Sequence, residues 1–146
     1  MPCYQDLGEI DYFPVDSGVV LRAVGWLGNE FEFSTGKVSR QFFNKLRELT
    51  EKAWQPVVSA GFHICELCQF QDYEYTARGT SNLFIPFNGA VYVAPELIVH
   101  YINAHHYLPP IVFLNAVMQC PDMRSMDYKR ALLKNGGRGL SRLAKL

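Results

Sequence analysis

The sequence predicts an α+β fold, and three observations lead to that prediction. The chain has 146 residues, of which 49% are hydrophobic and 14% aromatic, a composition typical of a globular domain with an aromatic core. An apolar stripe at helical spacing marks an amphipathic helix over residues 38–54. Asn88-Gly89 separates two β-rich runs, 82–86 and 90–93, and predicts a tight hairpin. We therefore expect a small antiparallel sheet, an amphipathic helix and a C-terminal helical group.

The first third of the chain supplies one edge of the predicted sheet. Residues 19–27 are rich in β-branched and aromatic residues between two glycines, which favours a strand. Phe31 and Phe33 then alternate with glutamates, so we predict that residues 19–33 pair with 82–93. The helix over 38–54 follows, and its apolar stripe should pack on the sheet. That stripe consists of Val38, Phe42, Leu46, Leu49 and Ala53.

Prolines divide the second half into short helices. Pro95 suits the first position of a helix, because its missing N–H costs nothing there. That helix should end before Pro109-Pro110. A third helix is predicted over 111–120 and a fourth over 126–134, with glycines ending the fourth.

The chain is predicted to be a single domain, 1–146, with unequal ends. We expect an irregular acidic arm over 1–18, a globular core over 19–135 and a flexible basic tail over 136–146. Basic and acidic residues balance at 14 each, so the chain as a whole does not favour nucleic acid or a membrane. The basic C-terminal region leaves nucleic acid open as a partner, although it is not preferred. No signal peptide or long apolar run is apparent, which predicts a cytoplasmic protein.

Potential metal ligands cluster in the stretch from Gly61 to Pro110. Half of the cysteines and all four histidines lie there. Cys65 and Cys68 have the spacing by which two thiolates bind one tetrahedral ion, and His100 and His105 follow on the predicted helix. A cysteine knuckle, a hairpin and a helix with histidines, in that order, resemble a treble-clef-like zinc module. We therefore predict zinc bound by Cys65, Cys68, His100 and His105.

Helical geometry sets a condition on this site. Residues five apart on an ideal helix point about 140° away from each other. His100 and His105 should therefore share an ion only if the last turn distorts towards Pro109. His63, His106 and Cys120 remain alternative ligands, and a metal-free packed cluster is the competing interpretation.

Other chemistries fit the same residues less well. A thioredoxin-like redox pair needs a helix after the first cysteine, and residues 69–73 show no helical stripe. A cysteine nucleophile needs a neighbouring base, and no spacing here fixes one. An HNH-like nuclease needs a histidine base on the hairpin, where the sequence offers Asn82 and Asn88. We expect a non-enzymatic protein-binding module, of immunity-inhibitor or adaptor type, with a structural zinc; a metal-dependent enzyme and a nucleic-acid-binding protein are the alternatives.

Several spaced motifs between about residues 25 and 117 resemble a family of small, uncharacterised bacterial proteins that is classified as a domain of unknown function. The resemblance implies a shared fold and a shared Cys/His constellation, and no activity. It also implies that the acidic arm and the basic tail lie outside the family. The motifs are Gly25-Trp26-Leu27, Gly36 with Val38 and Lys45-Leu46, Gly61-Phe62-His63 with Cys65-Glu66 and Cys68, Val91-Tyr92 with Pro95 and Leu97-Ile98, and His100-Tyr101 with His105, Tyr107 and Pro109-Pro110.

Overall fold

A computed structural model describes residues 3–11, 13, 18–57, 63–70 and 77–144. The residues outside the described part include Gly61, Phe62, residues 71–76 and, in the acidic arm, residues 1, 2, 12 and 14–17. The described part has a mixed α+β fold, as predicted. Its strands are β1 (Leu21–Ala23), β2 (His63–Ile64), β3 (Arg78–Gly79), β4 (Asn82–Phe87) and β5 (Ala90–Pro95), its α-helices are α1 (Arg40–Glu51), α2 (Ile98–His105), α3 (Ile111–Gln119), α4 (Met126–Lys134) and α5 (Arg138–Leu143), and a short 3-10 helix covers Glu66–Phe70.

The central sheet has the strand order β1-β5-β4. Strands β4 and β5 form the predicted antiparallel hairpin. Asn88 and Gly89 both have positive φ, at 50° and 82°, as a type I′ turn requires. The predicted antiparallel pairing is found between β4 and β5, whereas β1 departs from it and pairs with β5 in parallel. Parallel neighbours need a long crossover, and the chain between β1 and β5 provides one that includes α1.

The first strand is shorter than predicted. Only Leu21–Ala23 are in β1, and residues 30–33 do not join the sheet. Phe31 is exposed, whereas Phe33 is partly buried and packs edge-on against Tyr107. The two aromatic residues therefore do not form one buried strand face.

Two predicted helices begin later than expected. The helix predicted over 38–54 covers Arg40–Glu51, and the Ser39 side chain accepts a hydrogen bond from Phe42 N–H at its start. Pro95 does not open α2: it is the last residue of β5 and pairs with Asn82. The proline fits there because its backbone N–H is not needed beyond the end of the ladder.

The C-terminal group is confirmed at α3 and α4, but the chain does not become irregular at residue 136. Gly136 has a φ of 87° and ends α4. Residues 138–143 then form α5, where the sequence predicts a flexible tail. Leu140 is fully buried, so burial of an apolar side chain explains why this short segment is helical.

The sheet is covered on both faces. On one face Leu83, Ile85 and Tyr92 belong to a core with residues of α1, α2 and α3. On the other, Phe84 and Val93 pack in a core with Trp26 and with Leu132 and Leu140 of α4 and α5. This two-sided cover accounts for the continuous apolar sequence of β4 and β5. In the part of the chain that is described, no helix has the length and apolar character to cross a membrane.

Candidate metal centre

The two cysteines lie on a tight turn that the small β2–β3 pair supports. Strands β2 and β3 are antiparallel, and Cys65 N–H donates to Ala77 O at 2.9 Å, which extends the pairing. The 3-10 helix begins at the next residue. Within this turn the backbone N–H groups of Leu67 and Cys68 point at the Cys65 sulfur. Such N–H groups stabilise a thiolate, the form that binds metal.

Glu66, between the two cysteines, attaches the turn to the loop after β1. Its Oε2 accepts a hydrogen bond from Asn29 N–H at 3.1 Å. A Cβ at Gly28 would stand 2.9 Å from the same oxygen, so glycine is the residue that permits this close approach. No local sequence pattern marks Glu66 for this supporting role, because its partner Asn29 lies 37 residues away.

Helix α2 carries both histidines and is fixed at each end. Near its start, Ile98 is fully buried against Gly25, where a Cβ would stand 2.9 Å from the isoleucine side chain. Just beyond its end, the Tyr107 hydroxyl lies 2.8 Å from both carboxylate oxygens of Asp6. Asp6 in turn accepts from Gly25 N–H. The positions of His100 and His105 are therefore set by contacts with the N-terminal part of the chain.

His100 and His105 converge without the distorted last turn that helical geometry led us to expect. Helix α2 continues through His105, and the left-handed residue that ends it is His106, with a φ of 57°. His105 nevertheless converges with His100: their ring centroids are 5.0 Å apart. The angle of about 140° describes only the directions in which the two side chains leave the helix. An imidazole is long enough to lean from either side of the helix towards the cysteine turn, and both rings present their distal Nε2 to the sulfurs.

The four predicted ligands are brought together. Cys68 Sγ lies 3.2 Å from His100 Nε2 and 3.5 Å from His105 Nε2, and Cys65 Sγ lies 3.5 Å from His105 Nε2. All four ligand atoms are within 4.8 Å of one another. A tetrahedral zinc with Zn–S of about 2.3 Å and Zn–N of about 2.05 Å has S···N separations of about 3.6 Å. The three measured S···N separations therefore stand close to the spacing of a tetrahedral Cys₂His₂ site.

The electrostatic environment favours neutral side chains before an ion binds. Burial raises the pKa of Cys65 to about 11. Burial also lowers the pKa of His100 and of His105, and each is lowered further by a neighbouring histidine. When a divalent cation binds, the two thiols become thiolates and release their protons to solvent. The ion, two thiolates and two neutral imidazoles together have no net charge. A buried cluster that stays neutral with its ion avoids the cost of an isolated buried charge.

The alternative ligands lie apart from this cluster. His63 packs edge-on against Trp26, with ring centroids 6.3 Å apart, and its buried Nε2 has no hydrogen-bond partner among the described residues. His106 is exposed. Cys120 is buried and its thiol donates to Pro121 O at 3.4 Å; burial raises its pKa to about 12. None of the three belongs to the group of converging ligand atoms.

The two histidines of α2 and the two cysteines of the turn can together bind a soft or borderline divalent cation. The order of knuckle, hairpin and helix that the sequence predicts is present. A nuclease-type use of the hairpin has no support in the geometry: Asn82 is 1% exposed, and Asn88 is a turn residue.

The comparisons with known proteins agree with this constellation. Residues 2–118 match the sequence model of a domain of unknown function, DUF7919. The match begins before the expected residue 25, so the expectation that the acidic arm lies outside the family is wrong. No curated protein and no solved structure matches the chain. Because the matched region covers most of the chain and contains all four converging ligands, this protein belongs to the DUF7919 family.

Proposed function

We propose that this protein is a non-enzymatic binding module whose fold is stapled by zinc at Cys65, Cys68, His100 and His105. The convergence of four donor atoms within 4.8 Å carries the proposal. Two thiolates and two imidazoles make zinc the preferred first-row cation for a closed structural site. Four protein ligands fill a tetrahedral shell, whereas a catalytic zinc keeps a position for water or substrate.

In this proposal the zinc ion has a structural role. It joins the cysteine turn to α2 across 32 to 40 residues of sequence. The local support of the turn is small, because β2 and β3 contribute two residues each. A metal that closes so long a loop restricts the unfolded chain more than the folded one and so stabilises the fold. This use of zinc requires reduced thiols, which fits a cytoplasmic protein.

The test is the metal content of the purified protein. We expect about one zinc per chain by elemental analysis, and Cys65→Ser should lower both the zinc content and the melting temperature. Cys120→Ser makes the same chemical change at a buried cysteine outside the cluster, and its zinc content should match the wild type. A protein that contains no zinc, and does not take it up on addition, would overturn the staple. Three protein ligands and a water at the ion would favour a metal-dependent enzyme.

The partner in this proposal is another protein, of the kind that an adaptor or immunity-type inhibitor binds. Basic and acidic residues balance at 14 each, so long-range attraction by the chain as a whole does not favour nucleic acid over a protein partner. Helix α3 exposes Ile111 (75%) and Met118 (46%), seven residues apart and hence on one side of the helix. In affinity capture, Ile111→Glu with Met118→Glu should lose a partner that the wild type and Met126→Glu retain. Equal capture by all three proteins would contradict this surface.

A further inference from the structure

Helices α1 and α2 border two adjoining hollows, which we call the α1–α2 cleft. The hollows have volumes of about 500 Å³ and 510 Å³. They share Phe43, Arg47 and Asn103 as lining residues, so the two hollows adjoin at these side chains. Each hollow is within the size range of small-ligand sites. The cysteines of the metal centre line neither hollow, although His100 is among the lining residues of the second.

The cleft is positively charged. Lys37, Arg40 and Arg47 line the first hollow, which has no acidic lining residue. All three are exposed, and none forms an ion pair with another described residue. Cations that have no acidic partner and surround a concave surface attract an anion more strongly than cations spread over a convex face.

The acid near the second hollow is already engaged. Glu96 lines that hollow, but its two carboxylate oxygens accept hydrogen bonds from Thr80 N–H and the Ser81 hydroxyl, each at 2.6 Å. These neutral donors hold the carboxylate in place but do not remove its negative charge, so the second hollow is less positive than the first. Arg78 also lines this hollow and adds to the positive charge at that end.

The arrangement of α1 places an aromatic ring among the cations. Arg40 and Arg47 are seven residues apart, which puts them on one face of the helix, about 10 Å apart along its axis. Phe43 lies between them on the same face and is half-buried. The side-chain amides of Asn44 and Asn103 supply hydrogen-bond donors and acceptors at the first hollow. The first turn of α1 adds the positive end of the helix dipole.

We propose that the α1–α2 cleft binds a nucleoside phosphate, either as a free nucleotide or as part of a single strand. Lys37, Arg40 and Arg47 contact the phosphates, the base stacks on Phe43, and Asn103 contacts a base edge. Arginines beside an aromatic ring that a base can reach are the combination that recognises unpaired nucleotides, and Phe43 is partly exposed between its two arginines. This site is distinct from the basic C-terminal region, and the proposal does not depend on the zinc staple.

Binding is measured with zinc-replete protein and three probes: ATP, a fluorescent single-stranded hexanucleotide, and tripolyphosphate. We expect saturable binding of ATP or of the hexanucleotide that weakens as salt is raised. ATP binding as tight as hexanucleotide binding identifies a free nucleotide, and binding of the hexanucleotide alone identifies a strand. Tripolyphosphate should bind more weakly than the preferred probe, because it has no base.

Matched variants locate the site. Arg40→Gln with Arg47→Gln should weaken binding about tenfold or more, since two cations near the phosphates are lost. Arg124→Gln with Lys129→Gln removes the same charge from a cleft beside α4 and should leave binding unchanged. Phe43→Leu keeps the apolar packing and should weaken nucleotide binding about fivefold without affecting tripolyphosphate.

Three results would overturn the proposal. The first is the absence of saturable binding by ATP and by the hexanucleotide. The second is an equal loss of binding in the Arg40→Gln, Arg47→Gln variant and in the Arg124→Gln, Lys129→Gln variant, which would indicate a general charge effect. The third is tripolyphosphate binding as tightly as the nucleotides, which would indicate a site for phosphate without a base. Circular dichroism confirms that each variant is folded before binding is measured.

Discussion

Replacing Cys68 by serine removes the sulfur that lies within 3.5 Å of both imidazole nitrogens. The substitution should abolish the dependence of the protein's stability on zinc. A serine hydroxyl is a much poorer zinc ligand than a thiolate, and the remaining three side chains would hold the ion weakly. Cys120→Ser is the matched control, because Cys120 is also buried but lies outside the cluster.

The size of the effect follows from mass action. Zinc that is bound only by the folded protein and is present at one hundred times its dissociation constant stabilises the fold by about 2.7 kcal/mol. For a chain of this length, each kcal/mol corresponds to about 2–4 °C in Tm. Chelation should therefore lower the wild-type Tm by about 8 °C. Cys120→Ser should start from a lower Tm and show the same chelator-induced decrease, and Cys68→Ser should show almost none.

The assay is thermal unfolding followed by circular dichroism, with and without a zinc chelator, for the three proteins. Restoring excess zinc should recover the wild-type Tm. A wild-type Tm that does not change on chelation, in protein shown to have lost its metal, would refute the reasoning. So would an equal chelator effect in Cys68→Ser and the wild type.

Three further predictions concern the helices and the protons of the site. Leu140→Ala in α5 should lower the free energy of unfolding by about 2–5 kcal/mol in urea titrations, whereas Leu133→Ala, at a side chain that is 40% exposed, should cost less than about 1 kcal/mol; equal effects would contradict the burial of α5. Gly25→Ala should destabilise by about 1–3 kcal/mol, because φ is +76° and the new Cβ meets Ile98; an unchanged urea midpoint would contradict this packing. Since burial raises the pKa of Cys65 to about 11, this thiol is protonated at neutral pH before zinc binds. Zinc binding should therefore release at least one proton and weaken as pH falls; calorimetry in buffers of different ionisation enthalpy measures the release, and none would contradict thiolate ligation.

The features that could be predicted from the sequence are those that depend on near neighbours. Asn88-Gly89 specifies its own turn, and the apolar stripe of α1 is visible without knowledge of what covers it. Ser125 begins α4 through a hydrogen bond from Tyr128 N–H, a local contact. The Cys/His group could be predicted from residue types and spacing, because few side chains bind metal well.

The features that could not be predicted depend on distant parts of the chain. The parallel pairing of β1 with β5 joins residues about 70 positions apart, such as Leu21 and Val91, and nothing local records it. From the sequence alone, Pro95 resembles the first residue of a helix. In the structure it is the last residue of β5, because it pairs with Asn82. Residues 138–143 show little periodicity, and only the burial of Leu140 makes them helical. The α1–α2 cleft forms only when the two helices pack together. From the sequence alone, Arg40 and Arg47 therefore resemble ordinary solvent-exposed residues on one face of a helix.

The central claim, that four side chains close a tetrahedral zinc site, is tested most directly by X-ray absorption at the zinc edge of the metal-loaded protein. The account predicts two sulfur scatterers at about 2.3 Å and two nitrogen scatterers at about 2.0–2.1 Å, from Cys65, Cys68, His100 and His105. A shell with one sulfur or none, or with an additional oxygen in place of an imidazole, would contradict it.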